Sequence, residues 1–413
     1  MTVAQANPAI QTVGRQLPQT TNKPGSLMVP FIRASKKLQT FGYAANIATN
    51  NTSNFTPTVS LGPVAGFLRG LLLKVSVTGG AGTGATYQPD APFSYVQSLI
   101  VRDINNTTIY QVSGLELYLI NIYSGQVANG GSQNPALRPS FSAGTGAGNF
   151  TFSLVVPFEL NRTGYCSLAA ASAASPIQVQ VVFASLAASG AVMNAAPSAV
   201  TGQTVQFNIN QIYWSLVQND IEIAPPDLGA TCQWGSAAAG QNPGANANTL
   251  VQSPQTLSGW VTTQIITMRD STSSGAGPAR VGALPATDQT YRLDGVDLYS
   301  KQLYTEMQDK LYSNFGIVTG VDSPQPLAAG SGVGSSAQLT KGIAVFTWRD
   351  DVTEEVNAAD TFDELLHIAP GTVIQYGGTF GSGGTPPYTL TFTTGILVPT
   401  GQASGLPYTH LQQ

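Results

Sequence analysis

The chain has 413 residues, of which 42% are hydrophobic and only 9% charged, where an ordinary soluble domain has about 25% charged residues. The hydrophobic share excludes a disordered chain, and the length suits two domains of roughly 200 residues, each able to bury its own core. The formal net charge of −4 hides a polarity: residues 1–218 hold ten Lys/Arg and four Asp/Glu (+6), residues 219–413 seven and seventeen (−10).

The first 40 residues contain Arg15, Lys23, Arg33, Lys36 and Lys37 and no acid. Pro8, Pro18 and Pro24, with Gly14 and Gly25, deny residues 1–28 a long helix, and Met1–Gln11 lacks the charged and apolar regions of a secretory signal. This stretch is expected to be a basic arm held by partners rather than by its own packing. Strands are then predicted at Phe67–Val77, Tyr95–Arg102, Asn149–Leu160, Ile177–Phe183 and Val205–Val217, β-rich segments that partly alternate and are separated by turn residues. Gly79–Gly84 follows a strand, but Pro89 and Pro92 stand where a phosphate-binding helix would have to open, so it reads as a strand connection. The stripe Leu115, Leu119 and Ile122 predicts an amphipathic helix introduced by Gly114.

No charge occurs from Thr163 to Asn219 or from Leu228 to Met268. Pro176, Gly190, Pro197 and Gly202 interrupt the first stretch, and scattered amides and hydroxyls exclude both as membrane spans. They are expected to pack internally or on a neighbouring subunit. Cys166 and Cys232 form no CxxC pair, so neither a zinc site nor a redox pair is implied, and spacing does not decide whether they pair with each other. The sequons at Asn51 and Asn161 are expected by chance in a chain this rich in Asn and Thr. Pro225-Pro226 should break any sheet, which places a join at Asp220–Gly229 and domains at 29–220 and 221–413.

In the second half, strands are predicted at Trp260–Met268, Ile343–Trp348, Thr372–Tyr376 and Tyr388–Val398. A second helix is predicted from the stripe Val296, Tyr299, Leu303, Met307 and Leu311. Tyr110–Tyr123 can be laid over Tyr291–Tyr304 without a gap, matching Gly114 to Gly295, so the chain is expected to hold two copies of one unit of about 190 residues. The acidic cluster Asp350, Asp351, Glu354, Glu355, Asp360, Asp363 and Glu364 reads as a solvated loop leading into a short helix from Thr361 to His367. Glycoside hydrolysis by paired carboxylates there is disfavoured, since only Trp348 and Phe362 offer aromatic surface for a sugar.

The inventory for catalysis is thin. His367 and His410 are the two histidines, and neither a nucleophile elbow nor a phosphate loop occurs. No catalytic, cofactor-binding or metal residue is therefore assigned, and a non-enzymatic protein is expected.

In layout the chain resembles the double jelly-roll major capsid proteins of tailless icosahedral viruses, with the internal-membrane, tectivirus-like phages most similar. The resemblance rests on Arg33–Ile47, Phe67–Val77, Ala91–Asp103 and Phe152–Leu160 in the first unit, and on Thr361–Tyr376 and Gly381–Thr394 in the second. It implies an all-β fold of two tandem eight-stranded jelly rolls with short helices in the connections. It implies a virion protein that forms pseudo-hexameric trimers and meets neighbouring capsomers and vertex proteins. The basic arm would lie at the inner face, towards a membrane or the genome beneath the shell. The alternative reading is a β-rich host-binding spike or fibre, although fibres usually carry short repeats.

Overall fold

The computed structural model describes residues 35–48, 56–64, 66–79, 86–87, 90–124, 140–141, 149–160, 166–169, 174–186, 193–195, 204–215, 230–241, 248–270, 279–280, 287–302, 306, 342–348, 365–379 and 388–399. Eight principal strands of the first unit are β1 (Ser35–Ala48), β2 (Thr58–Ser60), β3 (Gly66–Thr78), β5 (Val96–Arg102), β6 (Thr108–Val112), β8 (Phe150–Pro157), β10 (Gln178–Phe183) and β12 (Thr204–Ser215). They form two facing sheets, β1-β12-β3-β8 and β2-β10-β5-β6. Short strands β4 (Thr86–Tyr87), β7 (Ser140–Phe141), β9 (Leu168–Ala169) and β11 (Met193–Ala195) decorate them. Alternation puts Leu71, Leu73, Val75 and Val77 of β3, Phe150, Phe152, Leu154 and Val156 of β8, and Val179, Val181 and Phe183 of β10 into the space between the sheets.

The second unit repeats the plan with β13 (Ala230–Gln241), β14 (Asn248–Gln252), β15 (Gly259–Asp270), β17 (Thr287–Leu293), β18 (Val296–Gln302), β19 (Ile343–Thr347), β21 (Ile374–Thr379) and β22 (Tyr388–Pro399). Its sheets run β13-β22-β15-β19 and β14-β21-β17-β18, with β16 (Ala279–Arg280) and β20 (Leu366–Ile368) also pairing with β15. Counting principal strands within each unit, both read 1-8-3-6 and 2-7-4-5, which is the strand order of a jelly roll. The predicted double jelly roll is therefore the fold.

The first helix, α1 (Gly114–Tyr123), starts where expected. Ser113 caps it: its Oγ accepts from the Glu116 N–H at 3.3 Å, and the Glu116 carboxylate accepts from the Ser113 N–H at 2.6 Å. A Cβ at Gly114 would overlap the Phe93 carbonyl oxygen, so only glycine lets the helix start this close to its neighbour. The predicted one-sided stripe needs correction, because all ten residues of α1 are buried. A helix apolar on every side is wedged between layers rather than laid on a surface, and α1 packs against β8 on one side and approaches β15 on the other. Asn121 fixes it to β8, donating to the Val155 carbonyl at 2.6 Å and accepting from the Val155 N–H at 2.8 Å. Asn121→Ala orphans two half-buried backbone groups of Val155, for an expected loss of about 1–3 kcal/mol read from urea unfolding.

Three expectations from the sequence meet the structure differently. Val296–Gln302 is the strand β18, not a helix. The cause is Asp294-Gly295, whose φ angles of 47° and 84° make a two-residue hairpin turn closed by the pair Leu293 and Val296. The overlay of Gly114 on Gly295 therefore matched a helix start to a hairpin tip. The duplication itself stands, in another register: β3 and β15 start 193 residues apart (259 − 66) and β12 and β22 start 184 apart (388 − 204). Likewise Leu366–Ile368 is the strand β20, held by pairing with Gly259–Val261, where the end of a short helix was expected. The join at Asp220–Gly229, the arm at 1–28, the later part of the second predicted helix, Leu303, Met307 and Leu311, and the rest of the short one, Thr361–Glu364, lie outside the described residues.

The joint between the two jelly rolls as candidate functional site

Strand β6 of the first unit lies parallel to β13 of the second, with Tyr110 beside Trp234 and Gln111 beside Gly235. This contact fuses one sheet of each unit into a single ten-stranded sheet. The Ser236 hydroxyl donates to the Gln111 carbonyl at 3.3 Å. Trp234 packs over Gly395, its partner on β22; a Cβ there would meet the indole at 2.5 Å, so the tryptophan fits because glycine stands opposite.

The second unit's β13-β22-β15-β19 sheet is consequently buried on both faces. Trp234, Trp260, Ile265, Ile343, Val345 and Leu397 join the core of the first unit. Val261, Ile266, Met268, Phe346, Phe392 and Ile396 face the second unit's own core. A bulge between Val261 and Thr263 lets odd and even positions of β15 exchange faces along the strand.

Burial on both faces explains the missing charge along β15 from Gly259 to Met268. Thr262, Thr263, Gln264, Thr267, Thr393 and Thr394 are all buried. Two of them belong to a chain of hydrogen bonds: Gln264 Nε2 donates to Thr394 Oγ1 at 2.9 Å, Thr394 Oγ1 donates to Gln255 Oε1 at 2.7 Å, and Gln255 Nε2 donates to the Gly235 carbonyl at 2.9 Å. Neutral amides and hydroxyls line such a sheet at far lower desolvation cost than ions. One ion pair crosses the joint, Arg269 Nη2 to Asp90 Oδ2 at 2.8 Å, with the carboxylate buried.

Tyr110 is the pivot, its hydroxyl donating to the Pro157 carbonyl. Burial pushes its phenol well above the usual tyrosine range, with smaller contributions from the thiols of Cys232 and Cys166. Both cysteines are buried thiols. A second buried pair, Arg69 with Glu159, sits at one end of the first unit's outer sheet; Trp214 Nε1 donates to Glu159 at 3.2 Å, and the guanidinium lies 4.5 Å from the indole centroid.

His367 lies on β20 with its ring 5.2 Å from that of Trp260, and Trp348 packs 5.6 Å from Tyr291. The acidic cluster from Asp350 to Glu364, Phe362, His410, Asn51, Asn161 and residues 80–84 of the glycine run lie outside the described residues. Among the described residues no three His, Cys, Asp or Glu side chains gather as a metal site, and no helix is long and apolar enough to cross a membrane. What sequence reasoning missed was β13, whose Ala- and Gly-rich segment carries no alternation of large apolar residues; Trp234 amid small residues was the available signal.

No known family's sequence pattern matches the chain, and no curated protein matches it. Solved structures do. A quasi-atomic model of the PBCV-1 virus capsid superposes with a TM-score of 0.55 at 10% identity, covering 88% of this chain and 94% of the other. PBCV-1 VP54, fitted into a reconstruction of the virophage Sputnik, gives 0.52 at 10% identity over the same shares. The crystal structure of the STIV MCP is 16% identical, with a TM-score of 0.49 over 88% of this chain and all of the other.

Proposed function

We propose that this chain, which has the double jelly-roll fold found in the PBCV-1 virus capsid, is the major capsid protein of an icosahedral virus. The observation that carries the proposal is the pair of like jelly rolls locked edge to edge by β6 and β13. Two similar units per chain allow three chains to present six similar edges, and closed rings of identical chains are the common outcome of a head-to-tail contact that returns on itself. The working protein is then a homotrimer in the virion shell, without enzymatic activity or cofactor, its units divided near residue 220 into 29–220 and 221–413. A spike or fibre has less support, because the fold extends over most of the chain as one duplication.

In this reading residues 1–28 bind partners. Their positive charge suits the acidic second half of a neighbouring chain first, and anionic lipid or nucleic acid beneath the shell second. Vertex proteins would meet the capsomers at the shell's fivefold positions. Light scattering on the purified full chain is expected to give three-chain mass, and negative-stain images hexagonal capsomers or shells. Deleting residues 1–28 is expected to leave the trimer intact and impair joining of trimers. A monomer persisting at high concentration defeats the capsid reading, and a truncated chain that assembles normally at every salt concentration defeats the role of the arm.

A further inference from the structure

The joint closed inside the chain has two halves, and the chain carries a second, open copy of each. In the first unit β6 is covered by β13; its counterpart in the second unit, β18, ends its sheet with no strand on its outer side among the described residues. In the second unit β13 lies between β22 and β6; its counterpart in the first, β1, pairs with β12 alone among the described residues. The open β18 also carries two of the three large apolar side chains exposed among the described residues, Val296 at 64% and Leu298 at 39%. An edge strand with apolar side chains in water is a template for another strand.

Resting on the trimer reading, we propose that β18 of one chain docks in parallel along β1 of a second copy, repeating between chains the β6–β13 joint, and that three such contacts close the ring. The internal joint predicts the register. There the third residue of β6, Tyr110, lies beside the fifth of β13, Trp234. Transposed, Leu298 of β18 lies beside Gln39 of β1, and Val296 beside Lys37. The charges agree with a parallel pairing. Lys36 and Lys37, near the start of β1, come alongside the exposed Asp294 and Asp297 that flank the start of β18. Asp297 is already paired with Arg292 at 2.5 Å, so the lysines would add to an existing charged cluster, and the contact should weaken with salt.

The test uses the full chain with Gln39→Cys and Leu298→Cys together, oxidised by copper–phenanthroline and run without reductant, beside each single variant and the unsubstituted chain. A covalent trimer that needs both substitutions supports the proposal. Trimers by light scattering with no crosslink overturn it and leave the trimer reading standing. A crosslink confined within one chain overturns it in favour of the chain covering its own edge. Ladders beyond three chains overturn the closed ring, and a monomer by light scattering overturns the trimer reading as well. Leu298→Lys gives an independent arm: trimer dissociation should rise at least about tenfold with an unchanged far-ultraviolet dichroism spectrum. A trimer no weaker than that of the unsubstituted chain counts against the proposal.

Discussion

Trp234→Ala is expected to lower stability by about 3–5 kcal/mol, a loss drawn from the removed indole and the cavity left in its place. The side chain is 2% exposed and sits where both units share one core. Its neighbours cannot collapse into the gap easily. Gly395 offers no side chain to fill it, and the backbone on either side is fixed by pairing with β22 and β6. A whole domain is stable by only about 5–15 kcal/mol, so the substitution should separate the two jelly rolls before it unfolds either. Urea unfolding at fixed protein concentration is the measurement, since assembly makes stability concentration-dependent. A midpoint shift accompanied by a second transition is expected. Ile104→Ala, at an exposed turn position away from the proposed contact between chains, should change stability by no more than about 0.5 kcal/mol. If Trp234→Ala behaves like that control, the joint is not packed as described.

The second large effect is a loss of stability at alkaline pH. Burial raises the phenols of Tyr95 and Tyr291 far above the ordinary value, and Tyr110 as well. A tyrosine is neutral when protonated and ionises near pH 10 in an unfolded chain. Above that pH the unfolded state sheds protons that the folded state keeps, so stability falls as pH rises; below it the contribution is intact. Each phenol costs about 1.4 kcal/mol per pH unit, so three cost about 4 kcal/mol per unit. Unfolding should begin soon above about pH 10, with tyrosinate absorbance rising in the same step as the loss of β dichroism. Replacing Tyr95 and Tyr291 by Phe should leave one steep phenol of the three and flatten the slope accordingly. An unchanged slope would mean that these hydroxyls reach water in the folded protein.

The all-β class was legible in the residues, whereas the doubling was inferred from an overlay that paired the start of α1 with a hairpin tip. Phe150–Pro157 and Gln178–Phe183 announce themselves because each has one face in a core and alternates accordingly. The helix start was legible from Gly114 and the stripe after it, and the structure adds the capping box of Ser113 and Glu116 that fixes it. The Asp294-Gly295 turn was equally local but was not read from the sequence; it makes Val296–Gln302 a strand where the stripe from Val296 had suggested helix.

Which edges meet is settled by long-range packing. Pairing of β6 with β13 joins residues about 124 positions apart (234 − 110), and no local pattern encodes a contact at that separation. The closing of the two units on each other buries β15 on both faces and so erases the alternation that reveals a strand to a reader of sequence. The absence of charge along β15 up to Met268 was visible from the start. Its reason was not, because a sheet lined by Thr and Gln is neutral only for want of water, and which surfaces lose their water is settled when the two jelly rolls close on each other.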